Sequence, residues 1–201
     1  MQRVNAYIDG FNLYFGLRSL KGQYKWLDPM EAIRKLCRPD QEVGTVKYFT
    51  ARITGADKDK RKRQTIYLEA LAERGVEIIY GKYLERTVKC SNCGHQYPRY
   101  EEKESDVNLA SHLLIDAAAG AADHYFVVSG DSDLVFPMEA ARDRYGRNVV
   151  AVFPPNRHSK EIKRRIGQFI PMSEALVRRS QLPGEVVKRD GYVLRRPEGW
   201  G

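Results

Sequence analysis

Short apolar runs rich in β-branched and aromatic residues recur along the chain, separated by longer stretches whose apolar positions fall three and four apart. The runs "VNAYI" (4–8), "VGTVKYFTARI" (43–53), "VEIIYG" (76–81), "HYFVVS" (124–129) and "NVVAVF" (148–153) predict strands buried on both faces, and "GQFI" (167–170) a short edge strand. Helical spacing predicts helices over 28–38, opening on Asp28-Pro29, over 57–74, with Ile66, Leu68 and Leu71 turned inward, and over 106–121 and 132–145. Strands alternating with helices of this length form βαβ units with right-handed crossovers. The expected fold is therefore α/β, three layers deep, with a central, mostly parallel sheet between helices.

Two segments interrupt the alternation. Residues 83–104, "YLERTVKCSNCGHQYPRYEEKE", hold a cysteine pair in dense charge and predict an inserted hairpin or knuckle. The basic tail from 178 has an Asp190-Gly191 turn between "EVVKR" and "YVLRRP", the signal of a second hairpin, either packed on the domain or mobile until RNA or a partner arrives. The expected organisation is one domain over 1–177 and a basic C-terminal tail over 178–201.

Composition adds a partner class. Lys and Arg total 34 against 26 Asp and Glu, a net charge of +8 over 201 residues, which favours a polyanion over a neutral metabolite. Nowhere do about 18 uncharged apolar residues run together, and the first residues lack a secretory apolar core, so the expectation is a soluble cytoplasmic protein with no membrane partner. Three cysteines, Cys37, Cys90 and Cys93, fit a reducing compartment better than a disulfide framework.

The stretch "VSGDSDL" (128–134) changes the picture most. It sets Asp131 and Asp133 at the carboxyl end of a strand, where parallel sheets gather ligands, and Asp9 ends "VNAYI" in the same way. Asp106 lies in the first turn of the helix opening at "KESDVNLASHLL". Carboxylates roughly 4 Å apart repel by several kcal/mol at an effective dielectric of about 20, so protons or a cation must neutralise them. An all-oxygen set points to Mg²⁺ or Mn²⁺ rather than zinc. Beside a basic surface, such an ion supports phosphodiester hydrolysis. Each acid also has a plain structural reading: Asp131 or Asp133 as a helix N-cap, Asp9 as a turn residue before Gly10, Asp106 as an acid favoured by the helix dipole.

At these residues the sequence resembles the NYN domain proteins, a branch of the PIN-like nuclease superfamily, and within them the LabA-like (DUF88) group. The resemblance rests on "YIDGFNLYFGL" (7–17), "KESDVNLASHLLIDAA" (103–118) and "VVSGDSDLVFPMEAARDRYGRNVVAVFPP" (127–155), in that order. It implies a PIN-like α/β/α fold and a Mg²⁺- or Mn²⁺-dependent endoribonuclease, with Asp9, Asp106, Asp131 and Asp133 as metal-binding acids, directly or through water. It also implies that Asn12 is the polar residue beside the first acid, which could equally cap its helix, and that Ser129 and Ser132 are hydroxyls for a carboxylate or a phosphate. The chain departs from the pattern at His112, where many relatives carry a further acid; a one-metal site or weaker activity follows from that loss.

"CSNCGHQY" (90–97) looks like half of a zinc ribbon, with Cys90, Cys93 and His95 as candidate ligands, but the second C-x-x-C of a structural site is missing. A zinc shared within a homodimer, a metal-free turn and a redox pair are the alternatives, the last disfavoured because no helix follows to lower a thiol pKa. Candidate phosphate contacts are Lys58, Lys60, Arg61, Lys62 and Arg63, then Arg157, Lys160, Lys163, Arg164 and Arg165. The first group also reads as a solvated helix start. Phe11, Tyr14 and Phe15 are candidate base-stacking residues, although Phe11 and Phe15 at helical spacing also read as core. Three functions remain open: a metal-dependent endoribonuclease, a non-catalytic RNA-binding module, and a small-molecule phosphoryl-transfer enzyme.

Overall fold

Six of the apolar runs become one sheet. A computed structural model of the protein describes residues 1–20, 24–55 and 57–200. In it, β1 (Gln2–Asp9), β2 (Gln41–Thr50), β3 (Glu77–Tyr80), β6 (His124–Val128), β7 (Asn148–Phe153) and β8 (Phe169–Pro171) form a sheet in the order β3-β2-β1-β6-β7-β8. Every neighbouring pair is parallel, with Ile8 opposite Tyr48 on one side and Val128 on the other.

The central strands are apolar because both faces are covered. Val4, Ala6 and Ile8 of β1 face one way, onto Leu13 and Leu17 of α1 (Gly10–Ser19), Ile33 of α2 (Pro29–Leu36) and Leu68 and Leu71 of α3 (Lys58–Glu73). Tyr7, between them, faces the other way with Tyr125 and Val127. They pack on Leu109 and Leu113 of α4 (Ser105–Ala119), Met138 of α5 (Val135–Asp143) and Ile162 of α6 (Lys160–Ile166). The helices have conventional starts: Asp28, Asp57, Ser159 and Ser173 accept backbone N–H bonds at α2, α3, α6 and α7 (Glu174–Arg179).

The interrupting segments are both hairpins. β4 (Lys82–Lys89) pairs antiparallel with β5 (Gln96–Lys103), carrying the cysteine pair at its tip. In the tail, β9 (Glu185–Val187) pairs with β10 (Val193–Arg195). This hairpin packs on the domain: Val186, Leu194 and Trp200 join the core beneath α3, where the Trp200 ring meets Tyr67 at 5.6 Å and Trp26 at 6.5 Å. The Trp26 indole N–H donates to the Pro183 carbonyl at 2.7 Å, so that this buried donor is paired at the seam. Leu194→Ala is therefore expected to cost about 2 kcal/mol of stability, read by urea unfolding; a tail that contributes nothing to the core leaves the midpoint unmoved.

Three helices fall outside the expected set. α1 is masked in the sequence because Tyr14 and Phe15 put apolar residues on its exposed face as well as its buried one, and α6 and α7 are one or two turns long. Residues 132–145 begin with a 3-10 turn, Ser132–Leu134, before α5, because Asp131 ties down its own loop.

Candidate active site

β1 and β6 are neighbours, so the residues that end them meet. Asp9 closes β1 and caps α1, its Oδ1 accepting the Asn12 backbone N–H at 2.9 Å, while its Oδ2 accepts the Ser129 hydroxyl at 2.9 Å. The Gly130 N–H donates to the Asn12 side-chain oxygen at 3.1 Å, and the Asp131 N–H to Ser129 Oγ at 3.0 Å. Asp131 in turn accepts the Asp133 N–H at 3.0 Å. The motifs "DGFN" and "SGDSD", more than a hundred residues apart, are thus knitted into one hydrogen-bonded unit. The capping role expected of Asp131 as plain structure is observed, Asp9, expected as a turn residue, is itself the cap of α1, and the Asn12 side chain ties the two loops together.

Two glycines let the loops approach. A Cβ on Gly10 would lie 2.5 Å from the Tyr48 ring and 2.7 Å from the Phe49 carbonyl; one on Gly130 would lie 2.1 Å from the Arg157 carbonyl oxygen. Gly130→Ala must push that loop away and is expected to cost about 2 kcal/mol as well as activity. Equal thermal stability in the variant would show that the loop yields freely.

The acids sense one another. Burial pushes Asp9 up to about 6; the hydrogen bonds from Asn12 and Ser129 oppose this, and the charges of Asp106 and Asp131 add to it. Asp106, at the start of α4, is raised by desolvation and then by Asp131 and Asp133. A fifth carboxyl, Glu102 near the end of β5, is raised to about 7, by burial first and then by Asp9 and Asp106, against the lowering effect of the Ser105 hydroxyl that donates to it. Sequence reasoning missed Glu102. Its signal was the acid-rich "YEEKESD", which reads as hairpin charge until β5 is seen to deliver it beside Asp9.

These charges are unbalanced. The neighbouring Glu104 and Glu101 pair with Lys82 at 2.7 Å and Lys103 at 3.5 Å. On the far side of the same helix, Asp116 is neutralised by Lys47 at 2.6 Å and bonded by the Tyr7 hydroxyl at 2.7 Å. Among the described residues, no ion pair reaches Asp9, Glu102, Asp106, Asp131 or Asp133. Glu104 adopts a left-handed backbone, φ 75°, where the chain turns from β5 into α4, a costly conformation for a non-glycine that swings Ser105 and Asp106 to the sheet edge.

Whether these residues suit a divalent ion can be judged from their donors. All are hard oxygens with excess negative charge, the set that Mg²⁺ or Mn²⁺ takes. No three acidic, histidine or cysteine side chains among the described residues are gathered at coordinating distance. Mg²⁺ commonly binds through one or two carboxylates, with waters and substrate phosphate completing its shell. The donor chemistry fits such a loosely held ion and does not fit a caged one.

The other candidates are spread more widely. Ser132 is exposed between Asp131 and Asp133. Arg157 borders the acids through its contact with Gly130, its guanidinium 5.3 Å from the centre of the Phe15 ring. Lys160 and Arg164 are exposed on α6, Lys163 lies 4.9 Å from the Phe169 ring centre, and Arg165 is engaged by Glu139 and Glu161. Lys58, Arg61 and Lys62 are exposed on α3, and Lys60 pairs with Asp57 at 3.1 Å. His112 lies against Phe49 and Lys47. Phe15 and Tyr14 are exposed, contrary to the core reading of Phe15, and Phe11 stacks on Tyr83.

At the hairpin tip the Cys90 N–H donates to the His95 carbonyl, and the Gly94 N–H, in a left-handed turn of φ 70°, to the Cys90 carbonyl. Backbone N–H groups of Cys93 and Asn92 bond the Cys90 sulfur and hold its thiol pKa below the usual value. This is a knuckle that aims thiols outward, and His95 is not gathered with them into a three-ligand set.

Comparison with known proteins agrees with this architecture. A curated relative, 6-hydroxy-3-succinoylpyridine 3-monooxygenase HspA of Pseudomonas putida, is 26% identical over 238 aligned positions, covering 98% of this chain and 75% of the relative. A crystal structure of a protein of unknown function from Vibrio parahaemolyticus superposes with a TM-score of 0.58 at 19% identity, over 86% of this chain and 94% of that one, a likeness of fold alone. The NYN domain matches residues 3–174, from β1 to the start of α7, taking in Asp9, Asp106, Asp131 and Asp133. With most of its length so matched, the chain belongs to the NYN domain family.

Proposed function

We propose that the chain is a divalent-metal-dependent endoribonuclease. The observation that carries this reading is the set of five interacting carboxylates, from three separate stretches of sequence, which no ion pair among the described residues balances. A nuclease-type fold supports it.

Asp9, Asp106, Asp131 and Asp133 would hold Mg²⁺ or Mn²⁺, directly or through water. The ion would supply a water of lowered pKa and shield charge developing on the leaving oxygen. The remaining work falls to the protein. Ser129 and the Asn12 backbone fix both oxygens of Asp9, and Asn12 and Ser129 lock the Asp131 loop to β1, so the acids are oriented before substrate arrives. Glu102, held beside Asp9 and Asp106 and bonded by the Ser105 hydroxyl, adds a further carboxylate oxygen at the edge of this set. Arg157, in the loop after β7 beside Gly130, and Lys160, Lys163 and Arg164 on α6 would grip RNA phosphates.

The test is incubation of end-labelled RNA and single-stranded DNA with Mg²⁺, Mn²⁺ or EDTA. Internal, metal-dependent cuts in RNA that leave 5′-phosphates are expected. A folded protein that binds RNA and never cuts is instead a regulatory module, and one that hydrolyses only small phosphoesters is a phosphoryl-transfer enzyme.

A second reading has its own observation. The monooxygenase relative aligns with nearly the whole chain, and its name specifies a hydroxypyridine substrate. This chain carries an aromatic-lined cavity whose lining includes Gly10, the residue after Asp9. Supplying 6-hydroxy-3-succinoylpyridine, dioxygen and a reduced nicotinamide or flavin tests it: a product hydroxylated on the ring would replace the nuclease reading.

A further inference from the structure

The cavity lies between α1, the end of β2, α3 and the Trp200 turn, with a volume of about 260 Å³. Its walls are rings: Phe11, Tyr14, Tyr48, Tyr67, Tyr83 and Trp200. Phe11 and Tyr83 stack at 6.4 Å, 15° from parallel, and Tyr14 lies edge-on to Phe15 at 5.5 Å. Tyr14 is 37% exposed and Phe15 42%, unusual for aromatic residues on a helix whose other face is core.

Its lining also includes four cations, Arg18, Lys25, Lys60 and Arg63. A packing fault between helices has no reason to collect them. Lys60 is held by Asp57 at 3.1 Å, but that pair is exposed and weak enough for a phosphate to displace. Gly10 ties the cavity to the acids: it lines the cavity and directly follows Asp9.

We infer that this cavity is a nucleotide subsite, in which one base of the RNA stacks on the Phe11, Tyr14 and Tyr83 rings and its phosphate meets Lys60 and Arg63. It rests on the nuclease reading for its role. A strand leaving the cavity passes Gly10 and runs onto the carboxylates, so the pocket sets which phosphodiester is presented for cutting. Base–aromatic stacking is tolerant of sequence, and the site therefore selects an unpaired nucleotide rather than a particular base.

Trp200 lines the cavity beside Trp26, the chain's second tryptophan, so intrinsic fluorescence reports occupancy. The full chain is titrated in EDTA with AMP and with adenosine, alongside Tyr14→Ala and Arg63→Ala, and ligand-observed NMR checks the result. AMP is expected to bind at least about tenfold more tightly than adenosine, and each variant to weaken AMP binding by about tenfold. No AMP binding, or equal binding by wild type and both variants, overturns the inference. RNA cleavage measured on the same preparations separates the two claims: cleavage without AMP binding removes the subsite alone, and AMP binding without cleavage removes the nuclease reading alone.

Discussion

Asp131→Asn is expected to lower RNA cleavage by about 10³-fold or more, a loss of about 4 kcal/mol of transition-state stabilisation, while RNA binding is retained or tightened. The substitution distinguishes the two roles that the structure allows this residue. As a cap, Asp131 needs only an oxygen to accept the Asp133 N–H, and asparagine caps as well as aspartate. As a cation ligand it needs its charge, which asparagine lacks. Binding should not suffer, because a basic protein holds RNA through Lys and Arg, and removing an acid beside them lowers repulsion of the phosphates. Asp9→Asn should behave alike, since the Asn12 N–H bond survives the change. The comparison is a single-turnover cleavage rate beside an RNA filter-binding curve. Full activity in folded Asp131→Asn would reduce the residue to a cap and remove the metal mechanism with it.

The sheet was legible because its strands are buried on both faces. "VNAYI" and "HYFVV" are apolar but for Asn5 and His124, which are buried with them; right-handed crossovers permit the two strands to be neighbours, and the structure pairs them. The convergence of Asp9 with the Asp131 loop follows from the same topology. Glu102 was not legible, since the hairpin expected over 83–104 does not by itself say that β5 returns to the sheet edge and sets this carboxyl beside Asp9. Helix α1 was hidden for a different reason. Tyr14 and Phe15 sit on its exposed face, so its apolar positions run all round rather than in a stripe. The tail's docking was left open: its anchors Leu182, Val186, Leu194 and Trp200 are spaced singly through a sequence otherwise charged and rich in glycine and proline. The cavity draws on all three, since α1, Tyr83 of the inserted hairpin and Trp200 of the tail close it against β2 and α3, and no window of sequence contains it.

Metal-free protein is expected to lose stability as the pH rises from about 4 to about 7, and Mg²⁺ to restore it. A carboxyl whose pKa is higher folded than unfolded holds its proton more tightly in the folded state. Its contribution is complete below the unfolded value and is lost as the pH passes through the folded one. For Asp9 that window runs from 3.8 to about 6, and for Glu102 from 4.5 to about 7. Shifts of this size are worth on the order of 3 kcal/mol, and because the two acids sense each other their contributions do not add. Burial lowers the pKa of His124, so its own contribution changes in the opposite sense. The useful quantity is therefore the difference in unfolding free energy between wild type and Asp9→Asn or Glu102→Gln at each pH, in which His124 cancels. Wild type should fall relative to both variants across these windows and run level above them. Mg²⁺ should raise the wild-type melting temperature more at pH 8 than at pH 5, because a protonated carboxyl cannot hold the ion, and less in either variant. Parallel pH curves, or a melting temperature indifferent to Mg²⁺ at pH 8, would mean that the acids neither repel one another nor gather a cation, and the reading of this edge as a metal site would fail without any assay of cleavage.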